Sequence, residues 1–528
     1  MQKRSLAANL ILTLGFLLRL VQLQGRPVWY DEAFAILYAR LRPALMVSAT
    51  TTPAAGTGAA DVHPLLYYFS LKSWMELVGS SAFSARFLSV ILGMLTVALL
   101  WRLAIWCLGP RTGFAVGVLA AVNPFHVTYS QEARMYALLG LTCVASTWSF
   151  FRALDSTPNP APITKDPPEV PRTRGSGAWR PLAHHPPRWK WWGLYAVASA
   201  LTLYTHHLGV FFIGGLHVLF ATHRRWWLQL PKLLLADAVA LTLFSPWLFG
   251  VLPGQIGFVR RGYWLTAPGA EELVRIVMLP VLTFYEPAPL WLLGLALFTG
   301  LLILVSLILQ TARQRSQATS FLILSSAPIT GLLLASQWFP VYLERALLPS
   351  ALCYLVALGW ILTPGHDSPI RQRTLLVLLA LSTTGSLLNH YGYEGFPRPP
   401  FREAAVYLRA CLESGEVIVH TDKLTYLPMR FYAPDLPAEF LADEPGSPED
   451  TLALPTQKAL GIRAAATISD AIGSASSVWV VSFEREVREI DSSGQDSNPL
   501  TWFDTDWRKA DQQDFAGLLV RRYEKRMP

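Results

Sequence analysis

The sequence predicts an α-helical polytopic membrane protein of about eleven transmembrane helices, followed by a small C-terminal α/β domain outside the membrane. Two observations predict this fold class. The chain has 528 residues, of which 52% are hydrophobic and only 15% are charged, whereas soluble domains average about 25% charged residues. Long apolar runs also recur from the N-terminus to about residue 389. These observations exclude a soluble globular enzyme, a disordered scaffold and a collagen-like fibre.

The first apolar run extends from about Leu6 to Leu23, directly after Lys3 and Arg4. It is too long for the core of a signal peptide and precedes no small-residue cleavage site, so we interpret it as a retained first span. The further apolar runs of the predicted transmembrane domain (residues 1–389) cover residues 82–107, 113–127, 135–153, 191–206, 208–222, 232–250, 288–310, 318–336, 346–363 and 374–389.

Charged residues divide between the loops on the two sides of these predicted spans. Basic residues mark one side, at Lys3, Arg4, Arg111, the segment 152–190, residues 223–225, Arg313, Arg315, Arg371 and Arg373. Acidic residues mark the other side, at Asp31, Glu32, Asp61, Glu132, Glu271, Glu272 and Glu286. The positive-inside rule therefore predicts a multi-pass protein of the inner (plasma) membrane, with a cytoplasmic N-terminus and an external C-terminus. The net charge of +8 is then a topology signal, and nucleic-acid binding is not expected.

Two segments are predicted to lie outside the bilayer core. The basic, proline-rich segment 154–190 is typical of a flexible linker and falls on the cytoplasmic side. Residues 390–528 have a soluble composition and predict a small extracytoplasmic α/β domain. Its predicted strands are Glu416–His420, Ser477–Phe483 and Gly517–Arg521, and its predicted helices are Arg402–Glu413 and Leu454–Ser469.

An acidic pair, Asp31 and Glu32, follows the first span within a predicted outer loop, residues 25–81. Pro27 is expected to end the transmembrane helix, and residues 33–40 predict a short amphipathic helix on the membrane surface with Asp31 near its N-cap. A carboxylate there lies within reach of a lipid-borne phosphate and of a water-soluble acceptor. The alternative interpretation is a capping Asp31 beside a solvated Glu32.

Arginines occur at the predicted outer mouths of several spans, at Arg86, Arg134 and Arg345. A desolvated guanidinium at such a position needs an anionic partner. For Arg134 that partner is either a substrate phosphate or the nearby Glu132. Arg19, inside the outer end of the first span, is explained equally well by snorkelling to the interface.

Five motifs in order along the chain resemble those of the family 39 glycosyltransferases, polyprenyl-phosphate-sugar-dependent GT-C enzymes that include protein O-mannosyltransferases and lipid A aminoarabinose transferases. The motifs are W-x-DE-A after span one, HP-x-LYY, AR-x-LS, NP-x-x-x-x-YSQEARMY and ER-x-LLP. The resemblance covers about residues 10–350, and PPFREAAVYL (Pro399–Leu408) resembles bacterial members with an outer soluble domain. One departure is His63-Pro64-Leu65, where family members commonly have HPP.

The resemblance implies a GT-C fold and an inverting transfer of a sugar from a polyprenyl-phosphate donor to an acceptor hydroxyl on the outer face. A phosphate leaving group is already a stable anion, so one carboxylate suffices where glycosidases need two. Asp31 is the implied general base, and Glu32 would orient the acceptor or Asp31. The implied donor-phosphate ligands are Arg134 and Arg345, with Arg86 and His63 behind them. The implied substrate-binding residues are Tyr30, Tyr67, Tyr136 and Glu132.

No metal or other cofactor is expected to be required, because arginines can hold the leaving phosphate. A divalent metal stays an alternative, with Asp61, His63, His126, His206 and His207 as possible ligands. The expected partners are the polyprenyl-phosphate-linked sugar, the bilayer and an acceptor that is a protein, a lipid or a glycan. A lipid or glycolipid flippase is the competing hypothesis, but it needs charged or broken helices near the midplane, where acidic residues are scarce.

Overall fold

The computed structural model describes the chain except for residues 1, 53–62, 155–188, 262–264, 285, 314–317, 366–367, 444–451, 494–501 and 527–528. The first part is a helical bundle, and its last part is a mixed sheet flanked by helices. The helices of the bundle are α1 (Gln2–Leu20), α2 (Tyr30–Ala39), α3 (Pro43–Thr51), α4 (Leu66–Val78), α5 (Ala82–Leu108), α6 (Pro110–Val122), α7 (Pro124–Ser130), α8 (Tyr136–Leu154), α9 (Trp189–Thr205), α10 (Gly209–Thr222), α11 (Leu230–Gly250), α12 (Leu252–Arg261), α13 (Ala270–Met278), α14 (Leu290–Arg313), α15 (Ala318–Ala335), α16 (Leu348–Ile361) and α17 (Pro369–Gly392). Short 3₁₀ helices cover Arg224–Gln229 and Glu344–Leu347.

Each predicted apolar run overlaps a helix of this bundle, namely α1, α5, α6, α8, α9, α10, α11, α14, α15, α16 and α17. The run 113–127 is divided between α6 and α7, with a break at Asn123. Within the described ranges, 6 helical segments are long and apolar enough to cross a membrane: Ala82–Leu108, Tyr136–Leu154, Arg224–Gly250, Leu290–Arg313, Ala318–Ala335 and Glu344–Ile361. The shorter apolar helices Leu6–Leu20, Pro110–Val122 and Gly209–Thr222 accompany them. The protein is therefore a multi-pass membrane protein, while the total of eleven spans stays a prediction.

Small residues allow close packing of α5 against α6. Gly109, with φ of +89°, makes the turn between the two helices, and Pro110 opens α6. A Cβ at Gly117 would lie 2.7 Å from the Trp101 ring, and one at Gly113 would lie 2.3 Å from the Ile105 side chain. Close approach through small residues is the usual packing device between membrane helices. It places the start of α5 and the end of α6 at the same end of the bundle.

Helix α2 differs from the predicted membrane-surface helix in both position and start. It begins at Tyr30, so Asp31 lies in its first turn and Trp29 is the N-cap residue. Most of its side chains are buried, because α2 packs between α4 and a helix of the C-terminal domain, α19 (Lys423–Tyr432). The prediction of a helix lying on the bilayer surface is therefore wrong. The helix is instead enclosed by protein.

The C-terminal part is a six-stranded sheet with strand order β3-β2-β1-β4-β6-β5. Strands β1 to β4 pair in parallel through β3-β2-β1-β4, and β6 pairs antiparallel with β4 and β5. The strands are β1 (Val417–His420), β2 (Ala438–Leu441), β3 (Ala464–Ala465), β4 (Ser477–Phe483), β5 (Trp507–Phe515) and β6 (Leu518–Lys525). The remaining helices are α18 (Phe401–Cys411), α20 (Leu454–Leu460), α21 (Ile468–Ile472), α22 (Glu484–Ser493) and α23 (Trp502–Asp506).

The predicted elements of this domain agree with β1, β4, β6 and α18, with shifted ends. The single predicted helix over Leu454–Ser469 is wrong. Gly461 adopts the left-handed conformation, with φ of +65°, and ends α20 as glycine commonly does after a helix. Strand β3 and helix α21 then take up the rest of the segment.

The C-terminal domain shares a hydrophobic core with the bundle. Helix α19 packs on α2, and α20 packs on α3. Tyr426, Leu427 and Phe440 are buried in the same apolar cluster as the residues of α2. The Val28 amide donates a hydrogen bond of 2.8 Å to the Tyr432 hydroxyl. The domain is therefore fixed directly over the segment that follows α1.

Candidate active site

Several chain segments converge on the first turn of α2. They are the segment after α1, the start of α5, the turn between α7 and α8, the 3₁₀ turn before α16 and the segment after α17. Two neighbouring carboxylates, Asp31 and Glu32, lie at the centre of this convergence. Each of them is held by two arginines, and the two pairs of arginines are different.

Asp31 is a partly accessible carboxylate held by Arg134 and Arg345. Its Oδ2 accepts a hydrogen bond of 2.6 Å from Arg345, and the Nε of Arg134 lies 3.7 Å from the same oxygen. The Asp31 side chain is 13% exposed. Burial acts to raise the pKa of Asp31, but Arg134 and Arg345 outweigh it and hold the pKa below its usual range. Asp31 is therefore an ionised carboxylate at neutral pH.

Aromatic rings surround the Arg345 guanidinium. It lies 5.3 Å from the centre of the Tyr136 ring and 5.8 Å from that of Trp29. Ring faces attract cations at this distance, so they fix the guanidinium without consuming its hydrogen-bond donors. A planar guanidinium that keeps N–H donors beyond the one bonded to Asp31 is suited to bidentate binding of a phosphate.

Glu32 is a fully buried carboxylate with saturated oxygens. Arg86 donates to both of its oxygens, at 2.8 and 2.7 Å, and Arg398 donates at 2.6 Å. The Ala133 amide adds a fourth hydrogen bond of 3.0 Å. Burial acts to raise the pKa of Glu32, but Arg86 and Arg398 together hold it far below its usual range. Glu32 thus ties α2 to α5, to the turn before α8 and to the C-terminal domain.

Arg86 uses its whole guanidinium in this framework. Besides its two bonds to Glu32, it donates to the carbonyls of Leu23, Arg26 and Pro27 at 2.7, 2.8 and 3.1 Å. A guanidinium has five N–H donors, and these contacts occupy all of them. Arg86 therefore links the start of α5 to α2 and to the segment after α1. It has no N–H donor left for the donor phosphate, which is the ligand predicted for it.

Glu132 pairs with an arginine that sequence reasoning did not connect to it. Its Oε1 accepts a hydrogen bond of 2.8 Å from Arg398. Burial raises the pKa of Glu132, although Arg398 acts in the opposite direction. Among the described ion pairs, Arg134 joins Asp31 and Glu132 joins Arg398. The alternative in which Glu132 is the structural partner of Arg134 is therefore not the arrangement found.

The three tyrosines among the predicted substrate-binding residues lie on three different helices, and the fourth residue, Glu132, lies in the turn before α8. Tyr30 is the first residue of α2, Tyr67 is buried in α4, and Tyr136 begins α8 under Arg345. His63 reaches this group through His206, whose ring lies 5.2 Å from that of His63 and 5.9 Å from that of Tyr136.

An apolar cavity of about 500 Å³ lies beside these rings. Its lining is mainly the side chains of α9 to α12, together with Phe339, Val341 and Leu343. His63, His206, His207 and Gln255 are its polar side chains. Leu343 precedes the Glu344–Leu347 turn that carries Arg345. The apolar space is thus lined by a residue two positions before Arg345.

A second buried polar network, which sequence reasoning missed, lies next to the first. Arg26 donates to Glu286, and His390 at the end of α17 contacts Glu286 at 3.0 Å and Gln131 at 2.9 Å.

The position of Arg19 also differs from the prediction. It is fully buried and donates to the Ala121 carbonyl at 2.8 Å, so the snorkelling interpretation is wrong.

Metal ligands do not converge in the described part of the chain. No group of three or more His, Cys, Asp or Glu side chains there is arranged to hold a metal ion. Asp61, one of the possible ligands, lies outside the described residues. Independence from a metal therefore stays a prediction.

Comparison with known proteins identifies the fold. ArnT from Cupriavidus metallidurans matches in its apo state (12% identity, 97% of each chain covered, TM-score 0.62) and bound to undecaprenyl phosphate (12%, 97% of each, TM-score 0.61). The oligosaccharyltransferase of Archaeoglobus fulgidus, in complex with Zn and sulfate, also matches (13%, 97% of this chain and 72% of that one, TM-score 0.51).

The chain has the fold of the GT-C glycosyltransferases. Residues 62–160 match the family of dolichyl-phosphate-mannose-protein mannosyltransferases. This stretch holds Arg86 and Arg134 and ends before Arg345. No curated protein matches the chain by sequence. The GT-C fold agrees with the expectation drawn from the sequence motifs.

Proposed function

We propose that this protein is an inverting glycosyltransferase of family 39 that moves a sugar from a polyprenyl-phosphate donor to an acceptor hydroxyl. One observation carries the proposal: Asp31 is held by Arg134 and Arg345, and an apolar cavity of about 500 Å³ is lined by His63 and by Leu343, which lies two residues before Arg345. The carboxylate suits a general base, the arginines suit a phosphate, and the cavity suits a prenyl chain. The fold shared with ArnT, whose structure includes undecaprenyl phosphate, supports the same donor class.

The proposed reaction is a single displacement at the anomeric carbon. The acceptor oxygen attacks from the face opposite the phosphate, which inverts the configuration, and its proton passes to the Asp31 carboxylate. The bond between the anomeric carbon and the phosphate oxygen breaks, and its electron pair leaves with the polyprenyl phosphate. Arg134 and Arg345 stabilise the charge that develops on that phosphate. No general acid or metal is needed for this leaving group.

The shared arginines link donor binding to base activation. Arg345 donates directly to Asp31 at 2.6 Å and lowers its basicity. A donor phosphate competes for the same guanidinium, so its binding weakens the hold on Asp31 and makes the carboxylate a stronger base. His63, Tyr30, Tyr67, Tyr136 and Glu132 are the proposed contacts or supports for the two substrates.

Charge asymmetry and the resemblance support a site at the outer face of the plasma membrane, with the N-terminus in the cytoplasm. The proposed acceptor is a hydroxyl of a protein, lipid or glycan that reaches this face.

Transfer assays test the proposal. Purified protein in vesicles, supplied with radiolabelled undecaprenyl-phosphate sugars and a cell-envelope extract, should release undecaprenyl phosphate and label an acceptor. The Asp31→Asn variant is the matched control and should do neither. A flippase would move the donor between leaflets without consuming it, and that result would overturn the proposal.

A further inference from the structure

Arg398 contacts the candidate site from a segment far from Glu32 and Glu132 in the sequence. It lies in the segment between α17 and α18, at the start of the C-terminal domain. Its Nη1 donates to the Glu32 carboxylate at 2.6 Å and to the Pro27 carbonyl at 3.0 Å, and its Nη2 donates to Glu132 at 2.8 Å. The side chain is 3% exposed.

Arg398 is the cation that the two buried carboxylates share. Glu32 on α2 and Glu132 in the turn before α8 are both fully buried. Two buried negative charges repel each other, and each is costly without a cation. One planar guanidinium that donates to both carboxylates removes that cost and also sets the distance between the two segments. Those segments carry Asp31 and Arg134, the residues next to the reaction.

A second contact connects Arg398 to Arg345. The Arg398 guanidinium lies 5.5 Å from the centre of the Trp29 ring, and Arg345 lies 5.8 Å from the same ring. Trp29 is the N-cap residue of α2, so its ring lies next to the first turn of that helix. Arg398 therefore fixes both the backbone that carries Asp31 and the ring beside Arg345.

We propose that Arg398 is a positioning residue for glycosyl transfer, through which the C-terminal domain completes the active site. It acts by holding Glu32, Glu132 and Trp29, and thereby keeps Asp31 aligned with the acceptor. This inference rests on the proposed function. It also gives the C-terminal domain a role in the chemical step, in addition to any contact with the acceptor.

The test compares Arg398→Gln and Arg398→Lys with Arg409→Gln in the full-length protein. Arg409 is the matched control, because it lies in the same domain and pairs with the exposed Asp435 at 2.6 Å. Three quantities are measured: kcat, the KM for the undecaprenyl-phosphate sugar, and hydrogen exchange of the segment 21–36. The Arg398 variants should lose about 10²-fold in kcat, as expected for a misplacement near 1 Å, with a donor KM within about twofold of wild type.

The exchange measurement separates positioning from folding. Segment 21–36 should exchange faster in the Arg398 variants than in wild type. Its exchange rate should be unchanged in Arg409→Gln. The lysine variant keeps the positive charge. If the glutamine variant does not fold, kcat and hydrogen exchange are measured on the lysine variant instead. Wild-type kcat and exchange in a folded Arg398 variant would overturn the inference, as would an equal effect of Arg409→Gln. If the wild type itself transfers no sugar, the proposed function fails, and the exchange data alone then decide whether Arg398 holds this segment.

Discussion

Asp31 and Glu32 are neighbours in one helical turn, yet their surroundings differ in accessibility and in hydrogen-bond saturation. Asp31 is 13% exposed and is held by Arg134 and Arg345. Glu32 is fully buried, and both of its oxygens accept hydrogen bonds, from Arg86, Arg398 and the Ala133 amide. The comparison separates a partly accessible carboxylate, which suits the proposed role of general base, from a buried carboxylate that links chain segments. Substitutions at the two positions should therefore damage different properties.

The largest expected effect follows from Asp31→Asn. Asparagine has the same size but lacks a basic carboxylate, so turnover should fall by about 10²–10⁴-fold, the usual loss for a general base. Thermal stability of the variant in detergent should fall less than that of a variant at the fully buried Glu32, because the Asp31 side chain is partly exposed. Initial rates of sugar transfer measure the loss. Near-normal turnover would remove Asp31 from the base role.

Glu32→Gln should show the opposite pattern. Breaking a buried ion pair by removing one partner costs about 3–5 kcal/mol, here because Arg86 and Arg398 lose their shared anion. The free energy of unfolding and the yield of folded protein should both fall. Denaturation curves of this variant beside Asp31→Asn test the contrast. Equal stability of the two variants would contradict it.

The arginines around Asp31 provide a smaller, kinetic test. Arg345→Lys and Arg134→Lys keep the charge but lose the fork that meets phosphate bidentately. Each should lose roughly 1.5–3 kcal/mol of transition-state stabilisation, on the scale of hydrogen bonds to charged groups. Values of kcat/KM at varied donor concentration measure this loss. Fully active lysine variants would exclude both residues from the phosphate site.

The smallest expected effect is a shift in pH dependence. Asp31 is faced by Arg134, Arg345 and His63, and the two arginines help to hold its pKa below the usual value. The base is thus ionised at neutral pH, and activity should fall only on strong acidification. Arg345→Gln removes a cation, which raises the pKa of Asp31 and should move the acid limb of kcat/KM to higher pH. If the acid limb of kcat/KM stays at the wild-type pH in this variant, a group other than Asp31 titrates in that pH range.

Sequence reasoning singled out the residues of the candidate site that lie near span ends. Asp31 follows the first predicted span, and Arg134 and Arg345 lie directly before predicted spans, where a charge is informative on its own. The GT-C fold was likewise predictable, because the motifs follow one another in order. Helix α2 was misplaced because no local pattern shows that α19 covers it.

The rest of the site depends on contacts between distant segments. Arg398 lies 366 residues from Glu32 and 266 from Glu132, beyond the predicted domain boundary at residue 390. Its neighbours, Gly395–Phe401 (GFPRPPF), are typical of a proline-rich loop, so nothing near it predicts burial of its charge. Strand β5 was missed for a different reason. It is an edge strand of mainly exposed polar residues and lacks the alternation that marks a half-buried strand.

The buried Arg19 has a consequence for the order in which the protein is assembled. Pro124 has no N–H, so the Ala120 carbonyl lacks its helical donor, and Arg19 supplies one at 3.3 Å. It also donates to Ala121 at 2.8 Å, a residue 102 positions later in the chain. During synthesis, α1 is therefore made before the carbonyls that accept hydrogen bonds from its guanidinium exist. We expect this helix to wait near the membrane surface or the insertion machinery, and to settle at its final depth only after the break between α6 and α7 has emerged from the ribosome.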